Sequence, residues 1–181
     1  MSQSYDPADG VVDLCRDLIR IDTSNFGDDT GPGERKAAEY VASFLTDCGI
    51  EPTVVESEPG RASVLARWGG TEGTPILLHG HLDVVPAMAE DWSSDPFAAE
   101  IVDGQIVGRG AVDMKDFDAM LLATIKARTD AGAVPDRPFV LCFTADEEAG
   151  GMLGAGHLVE HHRGLAAFEP VAVGELGGFS T

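Results

Sequence analysis

The chain has 181 residues, 44% of them hydrophobic, which suits one soluble globular domain with a sizeable core and excludes a disordered segment. Its 31 acidic residues outweigh 12 basic ones for a formal net charge of −19, a surface that repels phosphate backbones and anionic lipid, so nucleic acid and membrane are excluded as partners. No apolar run reaches membrane-spanning length, and Met1-Ser2-Gln3-Ser4-Tyr5-Asp6 has neither a basic nor an apolar leader region, so the expected compartment is the cytoplasm.

Asp6-Pro7 reads as an N-cap followed by proline at the first helical position, and Val11, Leu14, Cys15, Leu18 and Ile19 recur at helical spacing behind it. Asp22 to Gly33 is loop chemistry. A second helix is expected from Glu34 to Cys48, with Tyr40, Val41, Phe44 and Leu45 on its inner face and Gly49 as its stop. Strands are expected over Pro52 to Glu56 and Ala62 to Trp68, around a turn at Pro59-Gly60, and over Pro75 to Leu78, a continuous apolar run suited to a strand covered on both faces. Ile101 to Val107 reads as a hairpin around Asp103-Gly104. A long helix follows over Met114 to Thr129, with Phe117, Met120, Leu121, Thr124 and Ile125 as its buried stripe. Phe139 to Phe143 is another buried strand, Gly150 to His162 a helix frayed at its glycine-rich start, and Val171 to Val173 a last strand. This alternation predicts an α/β fold with a mixed, largely parallel sheet flanked by helices and no internal domain boundary. Cys15, Cys48 and Cys142 lack metal-type spacing and read as small thiols in a reducing compartment.

Three of these strands lead into chemistry. Ile76-Leu77-Leu78 runs into His79-Gly80-His81-Leu82-Asp83, Phe139 to Phe143 into Thr144-Ala145-Asp146-Glu147-Glu148, and Val171-Ala172-Val173 into Gly174-Glu175. Ligands of open α/β sheets bind beyond the carboxyl ends of strands, so parallel neighbours would bring these ends to one crevice. Asp113, in Gly108-Arg109-Gly110-Ala111-Val112-Asp113-Met114-Lys115, stands where a strand turns into a helix. One imidazole with several carboxylates suits zinc, cobalt or manganese. The His81–Asp83 spacing fits a ligand whose second ring nitrogen donates to a carboxylate. A carboxylate such as Asp113 can bridge two cations, and of the adjacent Glu147 and Glu148 one can ligate while the other acts as general base. Each motif alone is weak: Asp113 also suits an N-cap, adjacent glutamates usually form a solvated face, and Glu175 alone carries no information. The coincidence of three strand ends is what favours a site. His157, His161 and His162 read as an exposed helix end, His79 as support for the turn, Arg109 as a partner of the crowded carboxylates, and Asp146 as no ligand. Trp92 and Phe97 suit either a pocket mouth or simple packing.

The runs His79–Pro86, Gly108–Lys115 and Thr144–Gly151, with Glu175 after them, closely resemble in order and spacing the metal motifs of the metallopeptidase family that includes acetylornithine deacetylase, succinyl-diaminopimelate desuccinylase, glutamate carboxypeptidase and aminoacylase. The resemblance covers essentially the whole chain. It implies the family's phosphorylase/hydrolase-like zinc peptidase catalytic domain in truncated form, and two divalent metal ions, usually zinc. His81 and Glu175 would be terminal ligands to different metals, or Glu148 would take one of those places. Asp113 would bridge, Glu147 would be the general base and Asp83 would orient His81. The implied reaction is attack of metal-bound hydroxide on an amide carbonyl of a small peptide or N-acyl amino acid. Two departures stand out: Asp116-Phe117-Asp118 replaces the small residues common after the Asp-Met-Lys motif, and Glu175-Leu176-Gly177-Gly178 replaces the common glutamate-proline-threonine. Family members are roughly twice as long, so residues 1–181 would be the N-terminal part of the catalytic domain. The lid or dimerisation domain and the returning half, with its last metal-binding histidine, would be absent. The parent would then be a hydrolase, homodimeric through that lid, and the isolated chain an inactive fragment or a non-catalytic metal-binding module. A doubly wound nucleotide or redox domain is disfavoured, since no glycine-rich phosphate loop follows the first strand and no thiols pair.

Overall fold

In chain order the strands are β1 (Pro52–Glu58), β2 (Arg61–Trp68), β3 (Ile76–His81), β4 (Glu100–Val102), β5 (Gln105–Val107), β6 (Phe139–Thr144) and β7 (Ala172–Val173). The helices are α1 (Val11–Arg20), α2 (Arg35–Asp47), α3 (Lys115–Asp130), α4 (His157–His161) and α5 (Arg163–Ala166). The structure is a computed structural model and describes residues 8, 10–28, 30–166 and 172–174. Asp6-Pro7, Val171 and Glu175 therefore lie outside the described residues.

Five strands form one mixed sheet in the order β1-β2-β6-β3-β7. β1–β2 and β2–β6 are antiparallel, while β3 runs parallel to both β6 and β7. The parallel half is thus the half that carries the motifs, and the antiparallel half is a hairpin turned at Pro59-Gly60 and extended by β6. β4 and β5 form the separate hairpin expected around Asp103-Gly104, where both turn residues take positive φ, 51° and 78°.

Side-chain alternation divides the core. Ala62, Val64, Ala66 and Trp68 of β2, with Leu141 and Phe143 of β6, face α1, α2 and α3. Leu65 of β2, Val140 and Cys142 of β6 and Leu77 of β3 face the other side, where Leu158 of α4 covers them. β6 is buried on both faces, as its unbroken apolar run requires. Burial pushes the Cys15 and Cys142 thiols up to about 11 and about 12, so neither is a thiolate near neutrality. Among the described residues, no helix is long and apolar enough to cross a membrane.

Several boundaries differ from expectation. β3 begins at Ile76 and continues through His79-Gly80-His81, so the first three residues of the motif lie within the strand rather than beyond it. The glycine-rich start of the 150–162 segment is a π-helical turn, Met152–Gly156, that runs into α4. In α3 the buried stripe is rotated: Met120 and Thr124 are exposed, and Lys115, Asp118, Ala119, Leu122 and Ile125 line the inner face. α3 lies between α1 and the sheet, and two charged residues in its inner row disguise that row in the sequence.

Candidate metal centre

The register of β3 and β6 sets His81 opposite Thr144, so both chains leave the sheet at one level. The Leu82 N–H donates to the Thr144 carbonyl at 2.8 Å. The segment after α1 closes against the same level: Thr23 Oγ1 donates to the Leu82 carbonyl at 2.7 Å, and the Asn25 N–H donates to the Val84 carbonyl at 2.9 Å. Three stretches distant in sequence are thereby stitched side by side.

His81 is buried, with Nδ1 3.0 Å from the Asp83 carbonyl oxygen and 3.4 Å from Asp83 Oδ1. Nδ1–H donates to Asp83, which turns Nε2 toward the acids. Nε2 lies 2.9 Å from Asp113 Oδ1 and 3.9 Å from Glu147 Oε2. One ligand-type atom from each of His81, Glu147 and Glu148 falls within 4.8 Å of the others, and among the described residues this is the one such group of histidine, cysteine or acidic side chains. Glu147 and Glu148 open a single 3-10 turn, Glu147–Ala149, directly after β6.

Asp113 does not cap α3. That helix begins at Lys115 with no side-chain cap bond, and the Asp113 carboxylate instead reaches His81; its peptide bond to Met114 is cis. The Asp113 and Glu147 side chains are half exposed, so the cluster has a buried wall at His81 and an open side at these two acids.

The electrostatics describe an excess of anions around one imidazole. Burial opposes a charge on His81, but the hydrogen bond to Asp83 and the charges of Asp83, Asp118 and Glu147 override it and push the ring up to about 10. Burial likewise opposes ionised Asp83, yet hydrogen bonds from His81, Asn25 and the Glu148 amide hold it below the usual carboxylate range. Burial first, then the Asp113 charge, pushes Glu148 up to about 7. A proton on His81 Nε2 occupies the place a divalent cation would take, and a nitrogen among carboxylate oxygens is a donor set that fits zinc-like ions.

Asp83 does more than its spacing to His81 announces. Its Oδ1 accepts the Glu147 backbone N–H at 3.0 Å, and its Oδ2 accepts the Glu148 N–H at 3.0 Å and Asn25 Nδ2 at 2.9 Å. Asp146, with φ at 64°, is committed structurally: Oδ1 accepts Asn25 Nδ2 at 3.2 Å, and Oδ2 accepts the Leu153 N–H at 2.9 Å. Behind Asn25 stands a buried ion pair, Arg61 Nη1 to Glu34 Oε1 at 2.7 Å.

Sequence reasoning missed Asn25, Arg61 and Glu34. They fall in a loop, beside a turn and at a helix start, where polar residues are ordinary. It also missed Lys115 and Asp118. Buried Lys115 donates from Nζ to the carbonyls of Leu18 at 2.9 Å and Ile21 at 2.7 Å, and burial lowers it to about 8. Asp118 is buried, with no hydrogen-bond partner on either oxygen among the described residues, and burial pushes it well above the usual carboxylate range.

Among the described residues Arg109 makes no ion pair with the carboxylates; its guanidinium lies over the Trp92 ring, 5.4 Å from the centroid. His79 Nε2 lies 3.1 Å from Thr144 Oγ1, bracing the two strands. His161 and His162 stack their rings around His157 at the end of α4, with centroids 4.7 and 5.4 Å from its own. Glu175 lies outside the described residues, though β7 before it pairs with β3 through Leu78↔Val173.

The family model for Peptidase family M20/M25/M40 matches residues 77–178. An acetylornithine deacetylase of Vibrio campbellii is 38% identical over 138 residues, covering 76% of this chain and 34% of that protein. Aminoacylase-1 of Sus scrofa is 36% identical over 146 residues, covering 79% and 35%. The chain thus spans about a third of the length of these relatives. Among solved structures, the M20 family metallo-carboxypeptidase Sso-CP2 of Sulfolobus solfataricus superposes with a TM-score of 0.78 at 22% identity, over 94% of this chain and 38% of that one. A Bacillus subtilis dinuclear metal-binding peptidase of the M20 family does so at 0.59 and 20%, over 91% and 41%.

Proposed function

The chain belongs to peptidase family M20/M25/M40, and on that footing we propose that it carries the N-terminal part of the catalytic domain of a hydrolase cleaving an amide bond in a peptide or N-acyl amino acid. The observation that carries this reading is the convergence of His81, Glu147 and Glu148 within 4.8 Å, with Asp113 against His81 Nε2. The proposed cofactors are two divalent ions, zinc first, with cobalt or manganese as substitutes, as the donor set and the dinuclear Bacillus subtilis neighbour suggest. His81, Asp113, Glu148 and Glu175 are the residues that would hold them. When bound, the ions polarise the scissile carbonyl and ease deprotonation of a water.

Glu147 is the proposed general base. Its half-exposed carboxylate faces the open side of the centre, where a substrate can enter. It takes a proton from water as that oxygen bonds to the carbonyl carbon. It then gives the proton to the amide nitrogen as the C–N bond breaks and the amine leaves. Asp83 holds the Glu147 amide and the His81 ring, so base and ligand are fixed by one carboxylate.

In the full-length enzyme loaded with zinc or cobalt, Glu147→Gln is expected to lower turnover of N-acyl amino acids about 10²–10⁴-fold with metal content unchanged. Wild-type turnover in that variant overturns the assignment of the base. A second reading is that residues 1–181 by themselves bind metal without turning over substrate; the observation beside it is that the cluster of His81, Glu147 and Glu148 has an open side at Asp113 and Glu147. Elemental analysis beside an activity assay on the chain separates the two: metal without turnover supports the second, and robust turnover refutes it.

A further inference from the structure

We propose that Asn25 is a positioning residue of the metal centre, joining through one buried amide the loop that carries Asp83 to the loop that carries Glu147 and Glu148. The inference rests on the metal-centre reading and names a residue outside the proposed ligands and base.

The Asn25 side chain is buried and has all four of its hydrogen bonds made. Nδ2 donates to Asp83 Oδ2 at 2.9 Å and to Asp146 Oδ1 at 3.2 Å. Oδ1 accepts from Arg61 Nη2 at 3.0 Å and from the Gly27 N–H at 3.1 Å. The partners fix the orientation of the amide. Two carboxylates can face only the NH₂ end, and two N–H donors can face only the oxygen. Reversal would set oxygen against oxygen twice.

The two carboxylates belong to the two halves of the centre. Asp83 follows β3, orients His81 and accepts the amides of Glu147 and Glu148. Asp146 follows β6 and holds the left-handed turn from which Glu147 departs. Two buried carboxylates gathered on one side of a site repel each other, and the Asn25 NH₂ placed between them offsets that repulsion. Arg61 polarises the amide from behind, and Glu34, wholly buried, holds Arg61. The result is a chain of charge-assisted hydrogen bonds from the N-terminus of α2 to the base and ligands. Outer-sphere partners of this kind typically govern metal affinity by a factor of about 10–100.

Asn25→Asp keeps the shape of the side chain and reverses its meaning, since both donors become acceptors. Cobalt(II) titrated into the 181-residue chain reads affinity and, through its visible bands, ligand geometry. The expected result is at least a tenfold loss of affinity with altered bands, read at a temperature where far-ultraviolet circular dichroism shows the fold retained, with thermal unfolding lowered by the third buried carboxylate. Unchanged affinity and bands overturn the proposal. If the wild-type chain takes up no cobalt, the metal reading fails, and amide exchange judges the positioning role separately. Asn25→Asp should lower protection of the Glu147 and Glu148 N–H groups about tenfold and leave β1 and β2 unchanged; equal protection refutes the role. If Asn25→Asp does not fold, Asn25→Ser carries the same measurements, and loss of folding in both variants assigns Asn25 to the whole domain and overturns a role confined to the centre.

Discussion

Gly80 and Asp118 compete for one space. The Asp118 carboxyl oxygen Oδ1 stands where a β-carbon on residue 80 would project, so with a buried acid in the first turn of α3 residue 80 has room only for glycine. Gly80 lies next to His81, and Asp118 lies in the unusual Asp116-Phe117-Asp118 run.

Gly80→Ala is expected to destabilise the chain by about 1–3 kcal/mol through overpacking. Asp118→Ala made in the same background should relieve part of that cost. The two changes are in contact, so a coupling of about 0.5 kcal/mol or more is expected in a double-mutant cycle followed by urea unfolding. Additive effects would show that the two residues do not share the space.

Asp118→Asn tests the charge rather than the volume. Burial raises Asp118 well above its unfolded value, so the acid's contribution to stability is greatest at low pH and is lost as pH rises above the unfolded carboxylate range. The variant should unfold at nearly the same urea concentration as wild type near pH 4 and gain on it toward pH 8. Each unit of raised pKa is worth about 1.4 kcal/mol, so a gain of at least about 1 kcal/mol is expected. A variant weaker at both pH values would mean that Lys115 needs the ionised partner.

Metal affinity should climb with pH. Without a cation His81 is pushed up to about 10, so it is imidazolium at pH 7 and must lose that proton when a metal takes Nε2. Cobalt affinity is expected to rise more than tenfold per pH unit near pH 7 and about tenfold per unit by pH 9, with more than one proton released in all on filling the centre at pH 7, from His81 and in part from Glu148, and close to one at pH 9, read in calorimetry across buffers. The metal-free chain moves the other way. The stability His81 contributes is fully present below its unfolded value of 6.5 and is lost as pH rises through about 10.

Lys115→Met should be costly although it replaces a buried charge with an apolar group of similar length. Lys115 Nζ closes the C-terminal end of α1 through the Leu18 and Ile21 carbonyls, and methionine leaves both without that donor. A loss of about 2–4 kcal/mol is expected from calorimetric or urea unfolding. Lys115→Arg should not restore it, because the planar guanidinium needs more room than the ammonium.

That His81, Glu147 and Glu148 come together was legible in the sequence because His81 ends β3 and the two glutamates follow β6, so strand direction fixes where these side chains go, whereas Asp113 lies in a turn before α3. β3 and β6 were legible as apolar runs, and parallel pairing then set their ends together. Asn25, Arg61 and Glu34 were not legible, since they meet through loops whose course depends on Val84 and Gly60 carbonyls far away in sequence. The inner face of α3 was misread for a different reason: Lys115 and Asp118 are buried by tertiary packing that overrides their solubility, and no periodicity of apolar residues reports that. Arg109 lies over the Trp92 ring, a pairing that spacing does not encode.

The order of strands in the sheet bears on when the centre comes into being. β1 and β2 meet across a tight turn, Glu58 opposite Arg61, so their pairing is local. β3 and β6 join residues about sixty positions apart, Ile76 with Phe139, and only that pairing brings His81 level with Glu147 and Glu148. Closing so long a loop is expected to come after the hairpin has formed. A cation in the refolding mixture then has no complete cradle to enter until the chain is nearly native, and its expected effect falls on the lifetime of the folded state more than on the speed of reaching it. The centre would be assembled late and, once filled, would lock the two distant halves of the chain against coming apart.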